Sequence, residues 1–429
     1  MLTPLPPFPS ATPAVLPTIS WTERGELHTA FWRSERSAAP PHCVVLADDT
    51  TSADSAYRLA CEGCGLLWRG DFQNARLLLQ AMARRVDKPP KAKRAKKTVM
   101  DIEGPPAGQA FHLHRQAQAQ RARVLGMLLV PFSADYGIAL PRAPDARQAC
   151  VEAWGDVTAS TLVNFRSDSA SAEPVEGFTA KADAAPHLVA SLREFLGVVS
   201  AHEWRKKGLE ITPLGKGPNN RIHPHYGVFS PLRSEYIGLV SQTPLPCGGN
   251  VPLAFDIGTG TGVLAAVLVH RGVGHLLATD LDPRALACAR ENMTRLHLTA
   301  QVEVIAADLF PPGQASLVVC NPPWLPARPS APLERAVYDE GSRMLLGFLK
   351  GLAAHLLPGG EGWLILSNLA EHLGLRAQGD LLQYIADAGL KVLGKLDAKP
   401  QHPRSSDPMD ALHMARSAEV TSLWRLAAV

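Results

Sequence analysis

The segment from Leu253 to His270 constrains the fold of this chain most. Leu253 to Ile257 reads as a buried strand, Val263 to His270 reads as an apolar helix, and between them lie Gly258-Thr259-Gly260-Thr261-Gly262. Glycines at a strand-to-helix junction let the backbone turn tightly and approach a ligand with no side chain in the way. In an open parallel sheet, ligands sit beyond the carboxyl ends of the strands, where such a junction lies. The dinucleotide fingerprint places its third glycine one residue later, where this chain has Val263, so the pattern points away from a nicotinamide dinucleotide.

The residues that follow predict the remainder of a doubly wound sheet. Strands are expected at His275 to Asp280, Val302 to Ala307, Leu317 to Cys320 and Gly362 to Ser367. Helices are expected from Pro283 to about Leu296, from about Ser342 to Leu356, and around Leu381 to Ala388. The last two apolar runs, Val392 to Leu396 and Val420 to Leu426, suit a closing hairpin. Acids recur at the strand ends. Asp256 can receive an ammonium group or an ordered water, Asp280 (with Leu281) the hydroxyls of a ribose, and Asp308 (with Leu309) an adenine amino group. Three acids beside a glycine turn imply a bound nucleoside cofactor, with Asp256, Gly258, Thr259, Gly260, Gly262, Asp280, Leu281, Asp308, Leu309 and Asn321 as its contacts.

Asn321-Pro322-Pro323-Trp324 closes the strand expected at Leu317 to Cys320. Two prolines fix an extended, rigid turn and remove competing N–H groups. The Asn321 side-chain oxygen and the Pro322 carbonyl can then accept both hydrogens of an –NH2 group. Trp324 offers a flat face for a planar group. Holding both hydrogens of a delocalised amide or arylamine nitrogen out of plane aims its lone pair at an electrophile, so positioning supplies much of the acceleration.

The glycine turn, Ala307-Asp308-Leu309-Phe310 and Cys320-Asn321-Pro322-Pro323-Trp324 together resemble class I S-adenosylmethionine-dependent methyltransferases. They resemble most closely the branch containing the HemK-type release-factor glutamine methyltransferases and the small-domain ribosomal RNA guanine methyltransferases. Phe229-Ser230-Pro231-Leu232-Arg233-Ser234-Glu235 is similar to the HemK-type lead-in, and Ala336 to Leu345 to its acidic-glycine segment. The resemblance spans roughly residues 220 to 400. It implies S-adenosylmethionine as cofactor, methyl transfer to nitrogen, and a catalytic role for Asn321, Pro322, Pro323 and Trp324. Protein glutamine stands ahead as acceptor. An exocyclic amino group of adenine or guanine in RNA or DNA is the runner-up, then a small-molecule amine, and a non-catalytic cofactor-binding scaffold is the alternative of another class. HemK-type enzymes usually carry Tyr where this chain has Trp324, and their N-terminal domain is shorter, which bears on the release-factor substrate rather than on the reaction.

The chain has 429 residues, 46% apolar and 19% charged, with a formal net charge of +3. It is long enough for two or three domains, and the small net charge makes local charge the better guide to a partner. Residues 1–20 read as a Pro-rich tail, 21–210 as a mixed, mostly helical substrate-recognition region, and 211–429 as an α/β, Rossmann-like methyltransferase domain. Asp71 suits a helix N-cap, with Phe72, Ala75, Leu79, Met82 and Val86 on one face. Arg84, Arg85, Lys88, Lys91, Lys93, Arg94, Lys96 and Lys97 place eight positive charges in fourteen residues, a segment suited to phosphates or to a solvated linker. Seven cysteines scattered over this length read as free thiols of a reducing cytoplasm. Cys61 and Cys64, with His42 and Cys43 upstream, are weighed as a metal set and read instead as buried thiols, Cys61 to Leu67 looking like an apolar helix. The His112/His114 and His223/His225 pairs are read as ordinary histidines, the second pair near the substrate mouth. No signal or membrane-spanning stretch is expected, so the reading is a cytoplasmic protein with a macromolecular substrate and no metal.

Overall fold

A computed structural model describes residues 16–88, 107–156, 188–217, 219–329, 332–400, 407 and 410–429. These residues cluster into two compact units, one drawn from 1–92 and 119–199, the other from 93–118 and 200–429. Residues 107–118, expected in the N-terminal region, thus cluster with the second unit.

The first unit is built on a six-stranded mixed sheet. Its strands are β1 (Thr18–Glu23), β2 (Glu26–Arg33), β3 (Cys43–Ala47), β4 (Cys64–Trp68), β5 (Leu128–Phe132) and β6 (Leu188–Ser191), in the order β1-β2-β6-β5-β4-β3. Trp21, Trp32, Leu67, Leu129 and Val189 pack together as its core. Three expectations are corrected here. The region is mixed, but a sheet organises it, where mostly helix was expected. Ile19, assigned to the Pro-rich tail, is buried in β1. The apolar run after Cys61 is no helix: Gly63, at φ 85°, closes the helix Ala53–Glu62, and Cys64–Trp68 becomes a fully buried strand between β3 and β5. A five-residue apolar run has no periodicity that separates a buried strand from a buried helix. The Asp71 cap is present, accepting from the Gln73 amide, although Leu78 rather than Leu79 takes the buried face. Residues 89–97 of the basic segment and the loop 167–176 lie outside the described residues.

The second unit opens with a short ribbon of β7 (Leu209–Glu210) and β8 (Arg221–Ile222). Its main sheet comprises β9 (Leu253–Ile257), β10 (His275–Asp280), β11 (Val302–Ala306), β12 (Ala315–Cys320), β13 (Leu356–Ser367), β14 (Leu390–Ala398) and β15 (Thr421–Ala428). The order is β11-β10-β9-β12-β13-β15-β14, parallel except for β15, which runs antiparallel to both neighbours. Strand order reverses between β9 and β12, the doubly wound arrangement expected from the sequence. The expected hairpin is β14–β15. On one face the helix Val263–His270 buries every residue from Val263 to Leu268. On the other, Leu345, Phe348, Leu349 and Leu352 of the helix Arg343–Leu352 pack on Phe255, Val318 and Leu364.

Phe348 is fully buried and stacks on Phe310 at 5.9 Å. Phe348→Ala removes a ring from a close-packed face and is expected to cost about 3–5 kcal/mol. Denaturant unfolding followed by far-UV circular dichroism checks this. An unchanged midpoint would mean that the helix does not dock through this face.

Candidate functional site

The glycine turn has the geometry its composition requires. Gly258, Gly260 and Gly262 all have positive φ, at 72°, 56° and 80°. A Cβ on Gly258 would meet the flexible tip of Met344, which could shift, so the positive φ is what favours glycine here. The Gly262 amide donates to the Thr259 carbonyl, and the Thr259 amide donates to the carbonyl of Thr279 on β10.

Two acids of the sequence reading converge on this turn. Asp256, 1% exposed, accepts from Thr259 Oγ1 at 2.6 Å and from the Ala265 amide. Burial dominates over those bonds and pushes its carboxyl up to about 6. Asp280 accepts from the Gly260 amide at 3.0 Å and the Asp282 amide at 2.9 Å, and burial raises its pKa as well. Asp308 behaves differently. It is exposed and ion-paired with Arg343 at 2.7 Å. Beside it Leu309 holds φ at 71°, a strained value for a side-chain-bearing residue, and its carbonyl accepts from Thr279 Oγ1 at 2.6 Å. Leu281 follows Asp280 with its side chain 48% exposed at the sheet's end, an apolar surface where a flat ring could rest.

The Asn321-Pro322-Pro323-Trp324 turn leaves β12 directly beside β9. Trp324 Nε1 donates to Asn321 Oδ1 at 2.9 Å. The Arg233 guanidinium lies over the Trp324 ring, 4.8 Å from its centroid. Arg233 is itself gripped by Glu235 at 2.7 Å and Glu419 at 3.0 Å, both nearly buried, and Ser367 Oγ donates to Glu419 at 2.8 Å. Beyond Trp324, Leu325 pairs in a parallel bridge with Tyr338, and the Asp339 amide donates to the Leu325 carbonyl. Asp339 Oδ2 then accepts from the Met344 and Leu345 amides, fastening the start of the helix that covers Gly258. Both flanking segments singled out in the sequence, Phe229 to Glu235 and Ala336 to Leu345, therefore end on this turn.

Asn292 was missed in the sequence. It is fully buried, and its Nδ2 donates to the Thr261 carbonyl at 3.0 Å while its Oδ1 accepts from the His223 amide at 2.8 Å. One amide thus ties the glycine turn to the chain entering the unit. A lone Asn in an amphipathic helix carries no signal that would reveal this. His225 Nε2 meets Glu291 at 2.6 Å, and Arg205 and Arg295 bind the same carboxylate. Burial raises the Glu291 pKa, but those three partners outweigh it and bring it down to about 2. The pair His223/His225 therefore anchors the helix Pro283–Arg295. Among the described residues, the one group with metal-ligand spacing is His42, Cys43 and Cys64, which excludes Cys61. Cys43 and Cys64 are joined as a disulfide, a correction to the reading of free thiols. No described helix is long and apolar enough to cross a membrane.

A family model described as ribosomal protein L11 methyltransferase (PrmA) matches residues 249–323, from just before β9 to Pro323. The chain is 33% identical over 158 residues to a release factor glutamine methyltransferase of Cereibacter sphaeroides, covering 34% of this chain and 55% of that protein. It is 41% identical over 71 residues to a ribosomal protein L11 methyltransferase of Pelobacter propionicus, covering 16% of this chain and 23% of that protein. The chain thus spans about half the length, or less, of these relatives. A solved ribosomal protein L11 methylase from Lactobacillus delbrueckii subsp. bulgaricus aligns over 45% of this chain and 76% of its own, at 18% identity and a TM-score of 0.30. Strand order, rather than that superposition, carries the fold assignment.

Two outcomes follow from the turn. Because the native Asp256 pKa lies above the ordinary carboxylate value, the folded chain keeps a proton that the unfolded chain loses between about pH 4 and 6. Stability should fall as pH rises through that window, by up to about 3 kcal/mol, and Asp256→Asn should remove this component. Parallel melting curves of the two proteins at pH 4.5 and 7 test it; equal slopes would refute it. Asn292→Ala should loosen the glycine turn and weaken S-adenosylmethionine binding about tenfold or more, a loss of one or two buried hydrogen bonds, measured by calorimetry.

Proposed function

We propose that this chain is an S-adenosylmethionine-dependent N-methyltransferase whose acceptor is a planar side-chain amide on a protein, with glutamine the favoured residue. The observation that carries the reading is the convergence of both flanking segments on the Asn321-Pro322-Pro323-Trp324 turn, immediately beside the glycine turn. Similarity to a relative named as a release factor glutamine methyltransferase supports the protein acceptor.

The residues present suit that cofactor. Asp256 is a buried and Asp280 a half-buried carboxylate, and their described partners are neutral N–H and O–H groups, fitting an ammonium and ribose hydroxyls. Gly258, Thr259, Gly260 and Gly262 give the backbone its close approach, and Leu281 and Leu309 supply apolar contact. Asp308 is the contact for the adenine amino group, reached when it shares or leaves Arg343. When bound, S-adenosylmethionine supplies an electrophilic methyl group on a sulfonium leaving group. No strong base is then needed, and the protein's work is positioning. Asn321 Oδ1 keeps a lone pair free after accepting from Trp324. That lone pair and the Pro322 carbonyl hold the two amide hydrogens of the acceptor. Pro322 and Pro323 keep the two oxygens at fixed spacing, and Trp324 fixes the Asn321 amide. The proton lost from nitrogen passes to solvent.

An amino group of adenine or guanine presents the same two hydrogens, so nucleic acid remains the second acceptor class, and the basic segment 84–97 would be its phosphate contact. Of its described members, Arg85 is already paired with Asp54 at 2.7 Å, which weighs toward the protein acceptor.

Asn321→Ala should lower methyl transfer to a lysate acceptor by about 10²–10³-fold, as expected for removing one preorganised polar group, while S-adenosylmethionine binding is retained. Trp324→Phe keeps an aromatic ring and deletes the N–H, so it should give a smaller loss. Labelled cofactor and lysate from a strain lacking the protein provide the assay. Protease-sensitive label mapping to glutamine is the expected result, RNase- or DNase-sensitive label would move the acceptor to nucleic acid, and full transfer by Asn321→Ala would remove Asn321 from the mechanism.

A further inference from the structure

The first unit carries a side-chain cluster unrelated to methyl transfer. Cys43 opens β3 and Cys64 opens β4, and the two are register partners in adjacent parallel strands, with Cα atoms 4.9 Å apart. His42 precedes Cys43, and its Nε2 lies 3.9 Å from Cys64 Sγ. One ligand atom from each of the three falls within 4.8 Å of the others. Tetrahedral zinc, with bonds of about 2.0–2.3 Å, requires ligand atoms about 3.3–3.8 Å apart. The His42–Cys64 separation is already close to that spacing.

The local sequence builds this approach. Cys64 lies between two glycines, Gly63 and Gly65. A Cβ on Gly63 would come within 2.9 Å of His42 Nδ1, and a Cβ on Gly65 within 2.9 Å of Pro41 Cγ. The bare backbone on either side of Cys64 therefore admits Pro41 on one side and the imidazole on the other. Pro41 is buried and His42 exposed, so the ring is held from below and open to solvent above. Cys61, the nearer partner in sequence, stays out of the group and shares a hydrogen bond with Tyr57.

We propose that His42, Cys43 and Cys64 form a redox-gated site for a thiophilic divalent cation of the zinc class. A dithiol reductant delivers two electrons and two protons to the Cys43–Cys64 bond and is itself oxidised to a disulfide. The two thiols then release their protons to solvent as both sulfurs bind the metal, with neutral His42 as third ligand and water in the fourth position. In the oxidised chain the sulfurs are bound to each other and the site is closed.

The test uses the full-length chain, reduced with dithiothreitol, freed of reductant without air, and titrated with cobalt(II). Thiolate-to-cobalt charge-transfer absorption should saturate at one equivalent, be displaced by zinc(II), and be absent from the oxidised chain. Cys43→Ser and Cys64→Ser should each abolish it, and exposed His42→Ala should weaken binding at least about tenfold, the loss found even for outer partners of a metal site. Cys61→Ser should leave it unchanged. No absorption from the reduced wild-type chain, undiminished absorption in His42→Ala or either cysteine variant, or loss in Cys61→Ser would each overturn the assignment.

Discussion

Backbone hydrogen bonds between β9 and β12 set Ile257 opposite Cys320, and the candidate site takes its position from that register. The next residues along each strand are Gly258 and Asn321, so the two turns leave the sheet side by side at the reversal of strand order. A slip of one residue would exchange the side chains that β12, buried throughout, gives to the two cores, and would offset the turns. What prevents the slip is burial on both faces: Leu317 and Val319 belong to one core, Ala315, Val318 and Cys320 to the other, and all are fully buried. The hydrophobic packing that stabilises the sheet therefore also fixes the distance across which chemistry can occur.

The buried and half-buried acids of the second unit differ in the kind of partner they have. Glu361 is bound by Arg425 and by Trp363 Nε1, and Glu419 by Arg233 and Ser367, so each carboxylate is neutralised by a cation from the fold. Asp256 and Asp280 sit against amides and a hydroxyl, and burial raises both pKa values. Removing a carboxylate from water without a cation is costly. Asp339, also buried, likewise accepts from the Met344 and Leu345 amides and has its pKa raised, but its bonds cap a helix, whereas Asp256 and Asp280 stand beside the glycine turn.

Much of this was legible in the sequence, because the second unit is regular. Its strands and helices follow apolar runs bounded by glycine, proline and acids, and the helix Val263–His270 has the bounds its residues suggest. Legibility ended where a position depends on residues far apart in the chain. Arg233 meets Glu419 across 186 residues, and Asn292 meets His223 across 69. Neither pairing has a local pattern. In the first unit, Cys64–Trp68 looks the same as helix or strand until β3 and β5 are present to pair with it. Cys43 and Cys64 are twenty-one residues apart, and only that pairing makes them neighbours.

Trp324, where the family it resembles usually has Tyr, changes how the turn is held. An indole N–H is a donor only, so the Asn321 amide must turn its oxygen toward Trp324. A phenol carries its hydroxyl at the far tip of the ring, can both donate and accept, and would impose no such orientation from the same ring position. The indole is in turn held from above by Arg233, whose own freedom is removed by Glu235 and Glu419. Each link restricts the next, ending at the oxygen that an acceptor amide would meet. In the proposed reaction, the rotamer entropy of Asn321 would thereby be lost during folding rather than at each encounter with substrate, lowering the cost of reaching a reactive geometry.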